Sequence, residues 1–313
     1  MKTSEYFISC DWGTSNFRLR LVETLSLNVI KEVKAREGIK KLNQNLGQKD
    51  RLTFFADYLG SKINELPENH RKHSVIISGM ASSSIGMMDL QYATMPIKIT
   101  GEGLFSKEFK TNSGLDVILI SGIRSESSIM RGEEIQAVGL ADLVKEAESG
   151  YLILPGTHSK HIQFGNGVFR DFKTFMTGEL FQLLAEQSIL SASITKDSIN
   201  DKTESSFLTG VQLGLKGKLS ENLFSVRVNS ISNKLTNEEN YFYLSGLIIG
   251  DELSYLMGTL ENVILAASEP VFSLYKLALS LVSSKKKPIF CNAESLERAM
   301  LEGHKKMLLQ YGH

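Results

Sequence analysis

The succession of apolar runs and turn signals repeats along this chain, and that repeat limits its fold more than any single residue does. Period-two and continuous apolar stretches read as strands near 5–11, 17–23 and 28–35, a helix near 50–65, strands near 74–78 and 116–121, and a helix near 133–147. Three more strands follow at "YLILPG", "KHIQFG" and "VFRDFKTF", then the helix "GELFQLLAEQSIL", further helices to about 258, the strand "VILAA", a helix at 270–283, the strand "PIFC" and a final helix at 293–311. The order strand, strand, strand, helix, strand, helix, strand, helix thus occurs twice, with insertions near 80–112 and 191–235. Each half opens on a strand–Gly-Thr–strand hairpin, "DWGTSN" in the first and "PGTHSK" in the second. A duplicated unit of this kind predicts an α/β protein of two lobes, with both Gly-Thr turns opening into a cleft between them, where ligand sites concentrate.

The chain is 313 residues long, more than one core usually serves, which agrees with two domains. The expected division is 1–148, joined by the final helix 293–313, and 149–292. Lys and Arg total 35 against 35 Asp and Glu, so no global basic field recruits nucleic acid or an anionic membrane, and any anion must be bound locally. Cys10 and Cys291 are distant in sequence and each sits beside apolar strand-like residues. The start "MKTSEYFISC" has no apolar stretch of signal-peptide length, and a cytoplasmic location is the expectation. The longest apolar candidate, "LSGLIIGDELSYLMG", is interrupted by Asp251 and Glu252, so it predicts a buried helix rather than a membrane span. Oligomeric state is left open, a homodimer included.

The two turns carry the chemistry. Glycine lets a ligand approach the backbone closely, and a tight turn directs successive N–H groups into a concavity that suits phosphate oxygens. Thr14, Ser15 and Asn16 add side-chain donors to Gly13. Asp11 fits the same picture, because magnesium on ATP keeps several waters and is commonly held by only one or two carboxylates. Gly-Thr hairpins also occur as plain turn chemistry; the recurrence at the same place in both halves favours the phosphate reading. Competing signatures are missing: "GLKGKLS" has the wrong spacing for a P-loop, and "GEGLFS" lacks the third glycine of a dinucleotide fingerprint. "HSKH" has no accompanying Cys or His cluster that would make it a zinc site. Thr177 in "TFMTGEL" reads as a helix cap, with Gly178 as a flexible junction.

The strings "DWGTSNFRLRL", "SGM", "IMRGEEIQAVGL", "LPGTHSKHIQF", "FKTFMTGELFQLL", "SGLIIGDEL" and "SLYKLAL" together resemble, in order over nearly the whole chain, the 2-dehydro-3-deoxygalactonokinases of the sugar-kinase, heat-shock-70 and actin superfamily. The resemblance implies two ribonuclease-H-like domains binding Mg-ATP, and transfer of a phosphoryl group to the 6-hydroxyl of 2-dehydro-3-deoxy-D-galactonate, a small sugar acid. It implies that Asp11, Gly13 and Thr14, with Ser15 and Asn16, form the first phosphate motif, Asp11 orienting magnesium through water. Gly156 and Thr157, with His158 and Ser159, would form the second. Ala267 and Ser268 would lie near the nucleotide, although many superfamily members have glycines there. Ala299 and Gly303 resemble the small residues of a helix at the hinge.

The acceptor hydroxyl must lose a proton, so a carboxylate is required near it. "RGEEIQAVG" offers Glu133 and Glu134 at a helix start, where acidic residues also complement the dipole. Adjacent helical residues point about 100° apart, so one of the two faces the site; Glu133, following Gly132, is the first choice and Glu134 the second. Arg18, Arg124 and Arg131 are candidates to grip the substrate carboxylate in two-point fashion, with Ser82, Ser83 and Ser84 as hydroxyl donors. The stretch "GMASSSIGMM" departs from the family's usual pattern, so a kinase for another sugar or sugar acid is the same-fold alternative. A non-catalytic nucleotide-binding regulator is the alternative of a different class.

Overall fold

A computed structural model describes residues 4–282 and 286–311, and the chain divides into two compact units. The first comprises 1–148, 163–172 and 294–313; the second comprises 149–162 and 173–293.

The first unit opens with the antiparallel strands β1 (Tyr6–Trp12), β2 (Phe17–Glu23) and β3 (Val29–Ala35), followed by α1 (Ile39–Gln44) and α2 (Arg51–Ile63). Asp50 caps α2 by accepting from the Thr53 amide at 2.9 Å. Phe55, Ala56, Leu59 and Ile63 then fall on one helical face and pack with Ile8, Cys10 and Trp12 from one face of β1. Next come β4 (Val75–Gly79), the short β5 (Ala93–Thr94) and β6 (Ile97–Lys98), β7 (Ser106–Lys110) and β8 (Asp116–Ile120). The sheet order is β3-β2-β1-β4-β8-β7, with β1, β4 and β8 parallel and β7 antiparallel to β8 at the edge. A 3-10 turn and short strands therefore lie between β4 and β8 where the repeat predicted a helix. The buried β4 and β8 are continuous apolar runs, as parallel strands covered on both faces should be.

β9 (Ile123–Arg124) and β10 (Ile129–Met130) form a small sheet with β5, and α3 (Glu133–Gly139) and α4 (Ala141–Ala147) follow. The single helix expected over 133–147 is thus broken at Leu140.

The second sheet repeats the first in order. It is built from β11 (Ser149–Leu154), β12 (Ser159–Gly165), β13 (Val168–Phe175), β14 (Asn262–Ala266) and β15 (Ile289–Cys291), arranged β15-β14-β11-β12-β13. Residues 163–172, which belong to the first unit, pair with β6 through Phe169↔Ile97 and Val168↔Lys98. Around the second sheet stand α5 (Thr177–Gln187), α6 (Asp201–Gly214), α7 (Leu219–Asn222), α8 (Ser225–Ile231), α9 (Asn237–Leu253) and α10 (Val271–Leu281). Position 283, the last of the helix expected at 270–283, lies outside the described residues. A capping box of Thr236 and Glu239 starts α9. Gly210 and Gly214 of α6 meet Gly246 and Gly250 of α9, and a Cβ on any of the four would come within 2.4 Å of a carbonyl oxygen on the facing helix.

The final helix, α11 (Ala293–Tyr311), packs on α3 by the same device. A Cβ at Gly139 would lie 1.8 Å from the Ala299 carbonyl oxygen, and one at Gly303 would lie 2.1 Å from that of Ile135. Ala299 and Gly303 thus serve the close packing of α11 on α3 within the first unit. Positions 312–313 of the expected final segment lie outside the described residues. Among the described residues no helix is long and apolar enough to cross a membrane.

Candidate functional site

Side chains alternate along β1, so the face opposite the core carries Ser9 and then Asp11. The strand ends at Trp12, whose ring packs edge-on against Phe17 and Phe55, and the turn Gly13–Asn16 closes with the Gly13 amide donating to the Asn16 carbonyl at 2.9 Å. Amides of Ile39, Lys40 and Gly38 donate to the carbonyls of Gly13, Thr14 and Ser15, so the turn's acceptors face the start of α1. Gly38 is obligatory there, since its Cβ would lie 2.4 Å from the Thr14 carbonyl oxygen. Gly13 is different. A Cβ on it would meet nothing closer than the Asn16 carbonyl oxygen at 3.6 Å, so internal packing does not explain the glycine.

The turn lines a cavity of about 730 Å³ with Asp11, Arg18, Lys34 and Arg36. The lining thus holds three cations, of which Arg18 pairs with Glu32 and Glu297 and Lys34 with Glu32, beside the exposed run Thr14-Ser15-Asn16. Among the described residues none donates a hydrogen bond to the Asp11 carboxylate. Burial pushes its carboxyl up, Arg18 and Arg20 pull it down and Glu133 pushes it up again, leaving it above the ordinary aspartate value. A divalent cation beside such a group would offset that cost of burial, so the donor set fits water-mediated magnesium. Among the described residues no group of three or more His, Cys, Asp or Glu could hold a metal ion.

Gly132, at φ 109°, turns the chain into α3 and separates the roles of the next two residues. Glu134 is fully buried; both its oxygens accept from the Gly132 amide, at 2.8 and 2.7 Å. Burial, then the Glu133 charge, raises its carboxyl to about 8, so it holds its proton at neutral pH. Glu133 is only partly buried and accepts from the Arg131 amide at 3.2 Å. Of the pair, only Glu133 keeps exposed surface.

The proposed substrate side chains are placed unequally. Arg131 has a buried side chain whose guanidinium donates to Ser82 Oγ at 2.7 Å, to the Ser82 and Leu90 carbonyls and to Tyr92 Oη at 3.1 Å, while stacking on the Tyr92 ring. Ser83 Oγ donates to the Met80 carbonyl at 2.7 Å, and Ser84 is exposed. Arg131 thus ties the 80–92 loop, through Ser82 and Leu90, to the segment just before α3, while the Ser83 bond is internal to that loop. Arg18 lines the cavity and pairs with Glu297 at 2.9 Å, and the exposed Arg124 donates to Thr94 Oγ1 at 3.2 Å.

In the second unit, Gly156, Thr157 and His158 form an exposed turn between β11 and β12. A Cβ on Gly156 would meet no atom within 4 Å. Behind the turn, Gly178 lets α5 approach so closely that its own Cβ would lie 2.7 Å from the Gly156 carbonyl oxygen. The Glu179 amide donates to the Thr157 carbonyl at 3.1 Å, and His158 pairs with the Glu179 carboxylate. Gly178 therefore acts by close packing. Thr177 is the first residue of α5 and caps nothing, correcting the sequence expectation; its hydroxyl donates to buried Glu252.

A largely apolar cavity of about 150 Å³ adjoins this turn, lined by Gly156, Thr177, Gly178, Phe181, Tyr241, Ser245, Ile248, Val271 and Leu274 among others. Ala267 is buried in the core and Ser268 is exposed; Pro270 and Val271, just after them, reach the cavity wall. Sequence reasoning missed Lys34, Arg36, Glu179, Glu252 and Tyr275. For Glu252 a signal existed, a carboxylate close to the apolar run Leu247-Ile248-Ile249 of α9.

A sequence model described as 2-keto-3-deoxy-galactonokinase matches residues 11–301. The chain is 28% identical over 253 residues to the 2-dehydro-3-deoxygalactonokinase of Escherichia coli (strain K12), covering 79% of each chain. It is 29% identical over 291 residues to a Rhizobium meliloti (strain 1021) protein provisionally given the same name, covering 89% of this chain and 90% of that one. A crystal structure of a protein from Sinorhizobium meliloti, provisionally assigned the same activity, superposes with a TM-score of 0.79 at 25% identity over 98% of both chains.

Proposed function

Because this chain belongs to the 2-keto-3-deoxy-galactonokinase family, we propose that it is an ATP-dependent kinase that phosphorylates the 6-hydroxyl of 2-dehydro-3-deoxy-D-galactonate. The observation that carries this reading is the pair of Gly-Thr turns whose glycines have no internal packing role, each beside a cavity. Glycine at such a place is explained by a ligand that needs the space of a missing side chain.

In this reading Gly13, Thr14, Ser15 and Asn16 hold phosphate oxygens through amides and hydroxyls, and Gly156, Thr157 and His158 do the same from the second unit. The apolar cavity lined by Phe181, Tyr241, Val271 and Leu274 suits a planar base, with Ser245 offering a hydroxyl. Asp11 would hold magnesium through water, and the ion would offset charge on the phosphate oxygens. Glu133 takes the proton from the acceptor hydroxyl as its oxygen attacks phosphorus; the bond to the ADP oxygen breaks, giving ADP and the 6-phosphate. Glu134, holding its own proton near neutrality, keeps the Gly132 turn closed beneath Glu133. Arg18, which lines the Gly13 cavity, would meet the substrate carboxylate by giving up its pairing with Glu32 and Glu297, whereas the buried Arg131 is held by four bonds to the 80–92 loop.

A coupled ADP-release assay over 2-oxo-3-deoxy sugar acids and simple hexoses tests the proposal. Release that depends on 2-dehydro-3-deoxy-D-galactonate is the expected outcome. Release with hexoses alone would replace the acceptor, and nucleotide binding without turnover on any of them would replace the enzyme by a regulator.

A further inference from the structure

Helix α9 ends on the apolar residues Leu247, Ile248, Ile249 and Leu253 with Asp251 part-exposed, and yet it buries the Glu252 side chain almost completely, at 2% exposure for the residue. Four donors converge on that carboxylate. Ser159 Oγ lies at 2.8 Å, His161 Nε2 at 2.6 Å and Tyr275 Oη at 2.6 Å, and the Thr177 hydroxyl makes a further short contact. His161 is braced from its other side by Tyr255 Oη at 2.7 Å. Burial alone would raise the carboxyl, but the bonds from His161, Thr177 and Tyr275 and the charge of His161 hold it below the ordinary glutamate value.

The donors come from three segments, each bordering the turn or the apolar cavity. Ser159 starts β12 two residues after Thr157; Thr177 starts α5 beside Gly178; Tyr275 lies on α10, which supplies Val271 and Leu274 to the cavity wall. Thr177 and Tyr275 line that cavity themselves. A buried charge with this many partners stabilises no better than a well-packed apolar side chain of the same volume. What it adds is a fixed spacing between elements, because each bond tolerates only a few tenths of an ångström.

We propose that Glu252 is a positioning residue for the nucleotide: one carboxylate sets the separation between the Gly156–Thr157 turn, the start of α5 and the α10 wall. This rests on the nucleotide reading of that cavity given above.

Binding of the β,γ-imido analogue of ATP with magnesium is measured by calorimetry on the full chain, for the wild type and for Glu252→Gln, Thr177→Val and Tyr275→Phe. Michaelis constants for ATP and for 2-dehydro-3-deoxy-D-galactonate are measured on the same samples. Glu252→Gln is expected to bind the analogue at least tenfold more weakly and to raise the KM for ATP to match, with the KM for the acid changed less than twofold. The two single-donor variants should show the same split at three- to tenfold, and they decide the matter if Glu252→Gln does not fold. A merely structural role moves the melting temperature without separating the two constants. Folded variants with unchanged analogue affinity, or with both constants raised alike, overturn the proposal while leaving the kinase reading intact. Wild-type protein that binds no analogue overturns the nucleotide reading and this proposal with it.

Discussion

Replacing Glu134 with glutamine should stabilise the protein, and by an amount that depends on pH in a defined way. The carboxyl is wholly buried and titrates near 8 in the fold, against 4.5 when exposed, through burial first and then the neighbouring Glu133 charge. Below 4.5 it is protonated in both states and contributes nothing to the difference. Above 4.5 the unfolded chain releases the proton while the fold retains it, so the folded state loses ground until about 8. At pH 7, two and a half decades above the unfolded value at about 1.4 kcal/mol each, that loss is about 3 kcal/mol. Glutamine has nearly the same shape, its amide oxygen can still accept from the Gly132 amide, and it has no proton to release. Urea unfolding of wild type and Glu134→Gln at pH 4, 5, 6, 7 and 8 is the assay. The difference in unfolding free energy should be near zero at pH 4 and grow to about 3 kcal/mol in favour of the variant at pH 7. A difference that stays constant with pH, or a variant less stable at pH 7 than at pH 4 relative to wild type, would refute the reasoning.

His304 has the opposite sign: its ring nitrogens lie 2.7 Å from Ser9 Oγ and 2.9 Å from Ser78 Oγ, and burial, then the Arg20 charge, lowers it to about 3. The unfolded chain takes up a proton below 6.5 while the fold does not, so at pH 5 the protein should be about 2 kcal/mol less stable through this group, an acid limb that His304→Gln should flatten in the same titration. Gly156→Ala places a methyl in open space, so the melting temperature should hold within about 1 °C while the KM for ATP rises tenfold or more; an unchanged KM sinks the phosphate role of that turn. Arg131→Ala strips the donors that fasten the 80–92 loop and should cost about 3 kcal/mol in chemical denaturation, whereas a loss below about 0.5 kcal/mol would show the guanidinium idle. Glu133→Gln should abolish turnover with ATP analogue affinity retained, and near-normal kcat would exclude it as the base.

The two-fold repeat was legible because both periodicities survive in the residue order. Ile8, Cys10 and Trp12 alternate with Ser9 and Asp11, and Phe55, Leu59 and Ile63 mark a helical face, without reference to any distant residue. The Gly-Thr turns were legible for a related reason, since a glycine flanked by strand residues is a local signal. The break at Leu140 was not. Gly139 sits inside a good helical pattern, and its reason for being glycine is the Ala299 carbonyl, which is remote in sequence and arrives only with α11.

The same limit explains why Thr177 defeats a local reading and why Glu252 escapes one. A threonine before Gly-Glu-Leu is a sound local cap, but Met176 takes the N-cap position, Thr177 falls one residue inside α5, and its hydroxyl donates to a buried carboxylate elsewhere in the unit. Local propensity fails at Thr177 because the helix starts one residue earlier and the hydroxyl meets a long-range acceptor, and such failures gather where a fold must hold groups at fixed spacing. Arg131 follows the same logic: its residue type suits a substrate carboxylate, but the Ser82 and Leu90 carbonyls and Tyr92 claim it first. A residue's chemistry therefore shows what it can bind, and only its neighbours in space show whether that capacity is already taken. At Gly13, Gly156 and Asp11 the neighbours leave it open, which is why those three positions carry the functional reading.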